Sequence, residues 1–270
     1  MLVDSHVHLN RRDFSPDLPE VLARAEAAGI TGFLNVGYDL DSSEQSVALA
    51  ARDPRIFASV GVHPHDASLL ADSEGRMTAA GEKALVSLEH SARQPGVVAI
   101  GEIGLDFYRD LSPRPAQQTA FLKQLQLAER LELPVILHVR NAYAEARAIL
   151  DTAGIPPRRG VMHAFAGDLE TARWACERGL HLGIGGPVTY QNSPLPGILE
   201  VVTPDDLLLE TDAPWLPPLP FRGKRNEPAH VRLIAEKVAS LYGVELTDIA
   251  GRTTRNFQEL FALDGIGKTG

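Results

Sequence analysis

One cysteine, Cys176, stands in a chain of 270 residues, which rules out an intrachain disulfide and suits a reducing compartment. It lies in ETARWACERG, where a small helical hydrophobe is the expected role rather than a reactive thiol. No apolar run approaches bilayer length, so no membrane span is expected. The N-terminus enters a candidate strand at once, leaving no room for a signal peptide, and cytoplasmic residence is the expectation. Positive charge is short: the net formal charge is −9, which argues against an extended nucleic-acid-gripping surface. It leaves room for a phosphate substrate, because bound cations and a few arginines can reverse the field in one cleft. No GxGxxG follows the first apolar run, which removes the main reason to expect a dinucleotide fold. No GxSxG elbow occurs either, so a nucleophilic triad is disfavoured.

What is present is an alternation of short apolar runs with amphipathic segments. Candidate strands are Leu2–His6, Gly32–Val36, Ala58–Val62, Val97–Glu102, Val135–His138, Gly160–His163, His181–Ile184 and Leu207–Glu210. Several are continuous apolar runs, as expected of parallel strands covered on both faces. Between Ala116 and Leu131, Phe121, Leu122, Leu125, Ala128 and Leu131 keep a helical period. Asn226 is placed to cap a helix with Pro228 in its first turn and Val231, Ile234, Val238 and Leu241 on its apolar face. Leu246 to Leu263 reads as a last helix, and 265–270 as a frayed tail. Eight strand–helix repeats without a composition break predict an α/β fold, a single (β/α)8 TIM barrel over residues 1–264.

The chemistry-bearing residues recur at one kind of place. His6, His8, Glu102, His138, His163 and Asp212 sit at the downstream ends of apolar runs: LVDSHVH, VVAIGE, PVILH, GVMH and DLLLETD. Imidazoles and carboxylates without cysteine suggest a hydrolytic site for hard or borderline divalent ions. Asp4, His6 and His8 share a strand face; the HxH pair can chelate an ion, and Asp4 can hold a ring N–H. An isolated HxH divides evenly between a metal role and a hydrogen-bonded interior role. The four further candidates tip the balance to metal. Glu102, in the loop leaving the fourth strand, has two oxygens suited to bridging two ions; an ion pair with Arg109 or Arg140 is the plainer reading. His138 and His163 pair naturally on the second ion.

Asp212 can ligate the first ion and accept a proton from attacking water, with Glu210 supporting it. Arg140 shares a face with His138 and can clamp a phosphate oxygen; a salt bridge to Glu102 or Asp212 is its alternative. His63 and His65 in GVHPH overlook the same strand ends as substrate contacts, with surface or supporting roles nearly as natural for His65. Arg222, Lys224 and Arg225 in FRGKRNEP make a candidate phosphate clamp beside Asp212. Trp215 is read as packing in preference to a stacking platform, and His90, His181 and His230 are assigned no chemistry.

DSHVHL, GVHPH, GEIGLDFYR, LHVRNA, MHAFAG, ETDAPWL and RGKRNEP, in this order, resemble the TatD family of metal-dependent deoxyribonucleases, from Val3 to about Pro228. The resemblance implies an amidohydrolase-like barrel with two divalent ions, Mg²⁺, Mn²⁺ or Zn²⁺. It places His6, His8, Glu102 and Asp212 around one ion and Glu102, His138 and His163 around the other. It also implies phosphate contacts from His63, Arg140 and the Arg222–Arg225 loop. The chain departs at Val139 and Asn141, where the family has a hydroxyl residue and an aspartate, and at Ala166, where it has Ser or Thr. The ligands are retained; the differences bear on tuning, metal preference and substrate choice. The expected activity is cleavage of DNA phosphodiesters, trimming from a strand end, on single-stranded DNA or at strand ends. No obligate protein partner is expected. The enzymatic alternative is ester or amide hydrolysis, such as removing an acyl group from tRNA; the non-enzymatic one is a barrel that binds without turnover.

Overall fold

In a computed structural model, residues 1–263 are described. The frayed tail expected at 265–270 lies outside the described residues. Eight parallel strands run in chain order through one sheet. They are β1 (Leu2–Val7), β2 (Ile30–Val36), β3 (Ile56–Val60), β4 (Val97–Asp106), β5 (Val135–Arg140), β6 (Gly160–Met162), β7 (Leu180–Ile184) and β8 (Leu207–Leu209). The α-helices are α1 (Leu18–Ala27), α2 (Leu40–Ala50), α3 (Ala79–Ala92), α4 (Arg114–Leu131), α5 (Tyr143–Ala153), α6 (Leu169–Glu177), α7 (Leu195–Leu199), α8 (Val231–Tyr242) and α9 (Leu246–Leu260). All eight apolar runs are strands. Among the described residues no helix is long and apolar enough to cross a membrane.

The chain divides into two compact units. The first comprises residues 1–35 and 164 onward. Its strands are continuous buried runs: Val3, Val7, Phe33, Leu34, Leu207, Leu208 and Leu209 are all nearly inaccessible. Two helices cover part of that surface. In α8, Val231, Ile234, Ala235 and Val238 form the buried stripe. Leu241, expected on that stripe, is exposed because it falls in the last turn, before Gly243 ends the helix in the left-handed region at φ 65°. In α9, Ile249, Thr253 and Phe257 recur every four residues on the buried face. The cap before α8 also differs from expectation. A short 3-10 turn, Pro228–His230, precedes the helix and Glu227 flanks it, while Asn226 is fully buried and donates to the carbonyls of Thr211 (2.8 Å) and Trp215 (2.6 Å).

The second unit, residues 36–163, holds β3 to β6. On β4, Ile100 pairs Val135 and Ile103 pairs Leu137, so three residue steps oppose two: a β-bulge. This bulge lets β4 continue to Asp106, which corrects the expectation that Glu102 lies in a loop. Gly104 (φ 145°) sits opposite His138, and a Cβ there would run into the His138 carbonyl. α4 buries Ala116, Ala120, Phe121, Leu125 and Ala128, but also two glutamines on the same face. Gln124 accepts from Val62 N (2.7 Å) and donates to Val62 O (3.0 Å). Gln117 accepts from Asp106 N (2.9 Å) and donates to Ser112 O (2.8 Å). The backbone just before His63 and at Asp106 is thereby fixed by a helix.

Candidate metal centre

The first unit carries one cluster, built largely by main-chain pairing. His6 lies in β1 and His8 just beyond it. Past β8, Asp212 N donates to His6 O (2.9 Å), and His8 N donates to Ala213 O (2.9 Å). This short ladder carries the Asp212 side chain to the two rings. His6 Nε2 and His8 Nε2 lie 3.1 Å apart, and Asp212 Oδ1 is 3.8 and 3.5 Å from them. Both histidines are buried. Asp212 itself takes φ 54°, a left-handed conformation uncommon outside glycine.

Asp4 does not hold an imidazole N–H, contrary to expectation. Its carboxylate instead receives the hydroxyl (2.5 Å) and amide (2.9 Å) of Thr211 and the His6 amide (3.3 Å). Burial pushes the Asp4 carboxyl up to about 8, against the pull of those hydrogen bonds. Asp4 thus ties the two limbs of the cluster together. Glu210, expected beside Asp212, accepts from the Ala164 amide at 2.6 Å.

The second unit carries a denser cluster. Glu102 Oε1 lies 2.8 Å from His138 Nδ1, 2.8 Å from His163 Nε2 and 3.5 Å from His63 Nε2. The His138 and His163 nitrogens are 3.3 Å apart. Its imidazole contacts displace the ion pairs to Arg109 or Arg140 weighed from sequence. Burial raises the Glu102 carboxyl, but the surrounding imidazoles and their hydrogen bonds more than offset it and hold it well below the carboxylate range. Burial, reinforced by His138, holds His63 well below the ordinary histidine value.

Behind this cluster stands a residue that the sequence reading passed over. Asp106 Oδ2 lies 3.2 Å from His138 Nε2 and 2.9 Å from His65 Nε2, and Oδ1 accepts from the amides of Tyr108 (3.0 Å) and Arg109 (2.8 Å). Burial works against its charge, yet the His138, Arg109 and His65 hydrogen bonds keep Asp106 well below the usual carboxylate range. His65 is therefore a partner of Asp106 rather than a free surface histidine. Four residues beyond Glu102 on one strand, Asp106 shares its face.

The basic residues separate into two kinds. The Arg140 guanidinium lies 4.0 Å over the ring of exposed Tyr108 and has no carboxylate partner among the described residues. Arg222, 4.9 Å over Tyr190, and exposed Lys224 are likewise without one. Arg225 is different, and the phosphate role expected for it does not fit: its N–H groups go to Asp13 O (2.6 Å), Asp17 (2.8 and 2.7 Å) and Glu227 (2.9 Å). It is a strut of the fold. Trp215, read from sequence as packing, is 42% exposed and meets the His8 ring edge-on at 5.0 Å. Of the departures, Val139 is buried, Asn141 sits at φ 52° and Ala166 is exposed.

Both clusters fit divalent cations. Imidazole nitrogens 3.1 and 3.3 Å apart can share a single N–H between them, and with both nitrogens unprotonated they form, together with the neighbouring carboxylate oxygen, a donor set for a cation. His138 turns Nδ1 to Glu102 and Nε2 to Asp106, the carboxylate-backed arrangement of a metal-binding histidine.

Fold and donor sets together define a barrel-type metallohydrolase. The family model described as TatD related DNase matches residues 3–262, and the chain belongs to that family. It is similar to the uncharacterized metal-dependent hydrolase YabD of Bacillus subtilis, 37% identical over 98% of this chain and 100% of YabD. It is also similar to the 3'-5' ssDNA/RNA exonuclease TatD of Salmonella typhimurium, 36% identical over 96% of this chain and 98% of that protein. Among solved structures, the TatD homologue YJJV of Escherichia coli superposes with a TM-score of 0.88 at 30% identity, covering 97% of this chain and 98% of its own. The fold class is the parallel (β/α)8 barrel of these relatives.

Proposed function

We propose that this chain hydrolyses phosphodiester bonds of single-stranded DNA from a strand end, with one divalent ion at the His6–His8–Asp212 cluster and one at the Glu102–His138–His163 cluster. The observation that carries the reading is the pair of largely buried imidazole–carboxylate donor sets, free of cysteine. The Salmonella relative's name, an exonuclease on single-stranded DNA and RNA, supports the substrate class. Cytoplasmic residence belongs to the same proposal and rests on the lone cysteine.

Divalent cations bound there supply Lewis acidity, activating water near neutral pH and neutralising charge on phosphoryl oxygens. The protein's own groups do the rest. Asp212 accepts a water proton at Oδ and orients the oxygen for attack. Asp106 holds the His138 ring through Nε2, fixing the direction of Nδ1. Arg140, its face supported by Tyr108, offers N–H edges to a non-bridging phosphate oxygen, and Arg222 and Lys224 add positive charge in an acidic chain. Arg140 and Arg222, without carboxylate partners among the described residues, favour a phosphoryl substrate over an acyl one.

End-labelled single-stranded DNA tests the reading. Stepwise release of mononucleotides, abolished by chelation and by Asp212→Asn, is expected. Cleavage that survives chelation, or hydrolysis confined to a charged tRNA, overturns it.

A further inference from the structure

The chain has two tryptophans. They are treated very differently by the fold. Trp174 is 6% exposed in α6, whereas Trp215 is 42% exposed in the loop that follows β8. Its exposure does not come from a slack loop. Trp215 N donates to Asp212 O (2.9 Å), and Trp215 O accepts from Asn226 Nδ2 (2.6 Å), so both ends of the residue are tied, one of them by a fully buried asparagine. The indole is held 5.0 Å from the His8 ring, edge to face, with the Arg11 guanidinium 5.0 Å from its centroid. Arg222 and Lys224, exposed and without carboxylate partners among the described residues, belong to the same loop.

A large apolar ring kept partly in water beside a buried donor set is poorly explained by packing. Packing would have closed over it, as it does over Trp174. Single-stranded nucleic acid needs this combination: an aromatic surface for a base and cations for the adjoining phosphates. Resting on the nuclease reading above, we infer that Trp215 is a stacking platform for a nucleobase of the strand held at the His6–His8–Asp212 cluster. Every base has a π-face, so the platform grips without reading sequence. It is a positioning residue: it touches the base and not the phosphate that reacts.

The test compares short oligothymidylate with the same strand carrying abasic sites, on wild-type holoenzyme, Trp215→Ala and Trp215→Phe. Trp215→Ala is expected to raise KM about five- to a hundredfold on the base-bearing strand, leaving kcat nearly unchanged. On the abasic strand it should match wild type, and Trp215→Phe should recover most of the loss. Binding is read separately, by tryptophan emission in a Trp174→Phe background as a phosphorothioate oligothymidylate is added. Quenching that saturates supports stacking. An unchanged emission, or an equal KM penalty on both strands, overturns it. If wild type cleaves neither strand the nuclease reading falls, and the emission titration still decides whether the indole stacks on a base.

Discussion

The two clusters solve one problem, holding imidazoles against a carboxylate in a buried place, by different means. In the first unit the backbone does it: the pairings of residue 212 with residue 6 and of residue 8 with residue 213 set the three side chains, and Asp4 only laces Thr211 to the strand. In the second unit side chains do it. Asp106 holds His138 and His65, and Gln117 and Gln124 reach from α4 to fix the strand ends. A ladder tolerates changes among its neighbours because every residue type except proline supplies the same amide and carbonyl. A side-chain scaffold can be broken from outside the ligand set. The second cluster should therefore have more ways to fail.

The largest effects should come from the proposed ligands, where the two clusters should behave alike. His8→Ala and His138→Ala are each expected to lower kcat on the order of a thousandfold, the loss of several kcal/mol of charge stabilisation. Metal analysis by plasma mass spectrometry should show less bound ion in each variant. A fully active His8→Ala enzyme would remove the first cluster from the chemistry.

Next in size is Asp106→Asn, which separates the clusters. The asparagine keeps the shape and loses the charge behind His138, and a ten- to hundredfold loss of metal affinity is expected, roughly the usual effect of removing such a carboxylate. Competition with a chromogenic chelator measures it. Thr211→Val, the nearest counterpart in the first unit, should change affinity much less. Equal losses in the two variants would contradict the contrast between ladder and scaffold.

The same contrast explains what could be read from residues alone. The eight apolar runs are eight strands, and within each unit histidines and carboxylates at strand ends lie together, because strand ends are marked by local composition. The misreadings are non-local. The apolar run of β4 ends at Glu102 in the sequence, whereas the strand continues through a bulge between Ile100 and Ile103 and a close approach to His138 that requires Gly104. With the strand cut short, Asp106 fell out of view. Arg225 looked like a phosphate ligand because Asp17, its main partner, is 208 residues away. Buried Gln117 and Gln124 leave a sequence trace, polar residues seven apart on an otherwise apolar helix face, but that trace does not say which backbone groups they meet.

Gln124→Met tests the scaffold without touching a ligand. It strands the Val62 amide and carbonyl in a buried site, which costs about 1–3 kcal/mol per unsatisfied group. Chemical denaturation should show the loss. Because Val62 precedes His63, activity should also fall, and a variant as stable and active as wild type would show that the α4 clamp is dispensable.

The effects confined to a single readout concern two arginines that resemble each other in sequence. Arg140→Ala should leave thermal stability unchanged and raise KM about ten- to a hundredfold, the value of a charged hydrogen bond to phosphate. Arg225→Ala should do the reverse, lowering Tm with KM unchanged. Its pH dependence identifies the cause. The Arg225 guanidinium beside Asp17 holds that carboxyl down to about 2, with Arg24 helping and slight burial opposing. A carboxyl depressed in the folded state adds stability above its ordinary range near 4 and loses that stability as pH falls towards 2. The Tm gap between wild type and Arg225→Ala should therefore be full at neutral pH and close over that acid interval. A gap that persists unchanged at the acid end would mean that Arg225 stabilises through its packing on Phe14, 5.0 Å from the guanidinium, and not through Asp17.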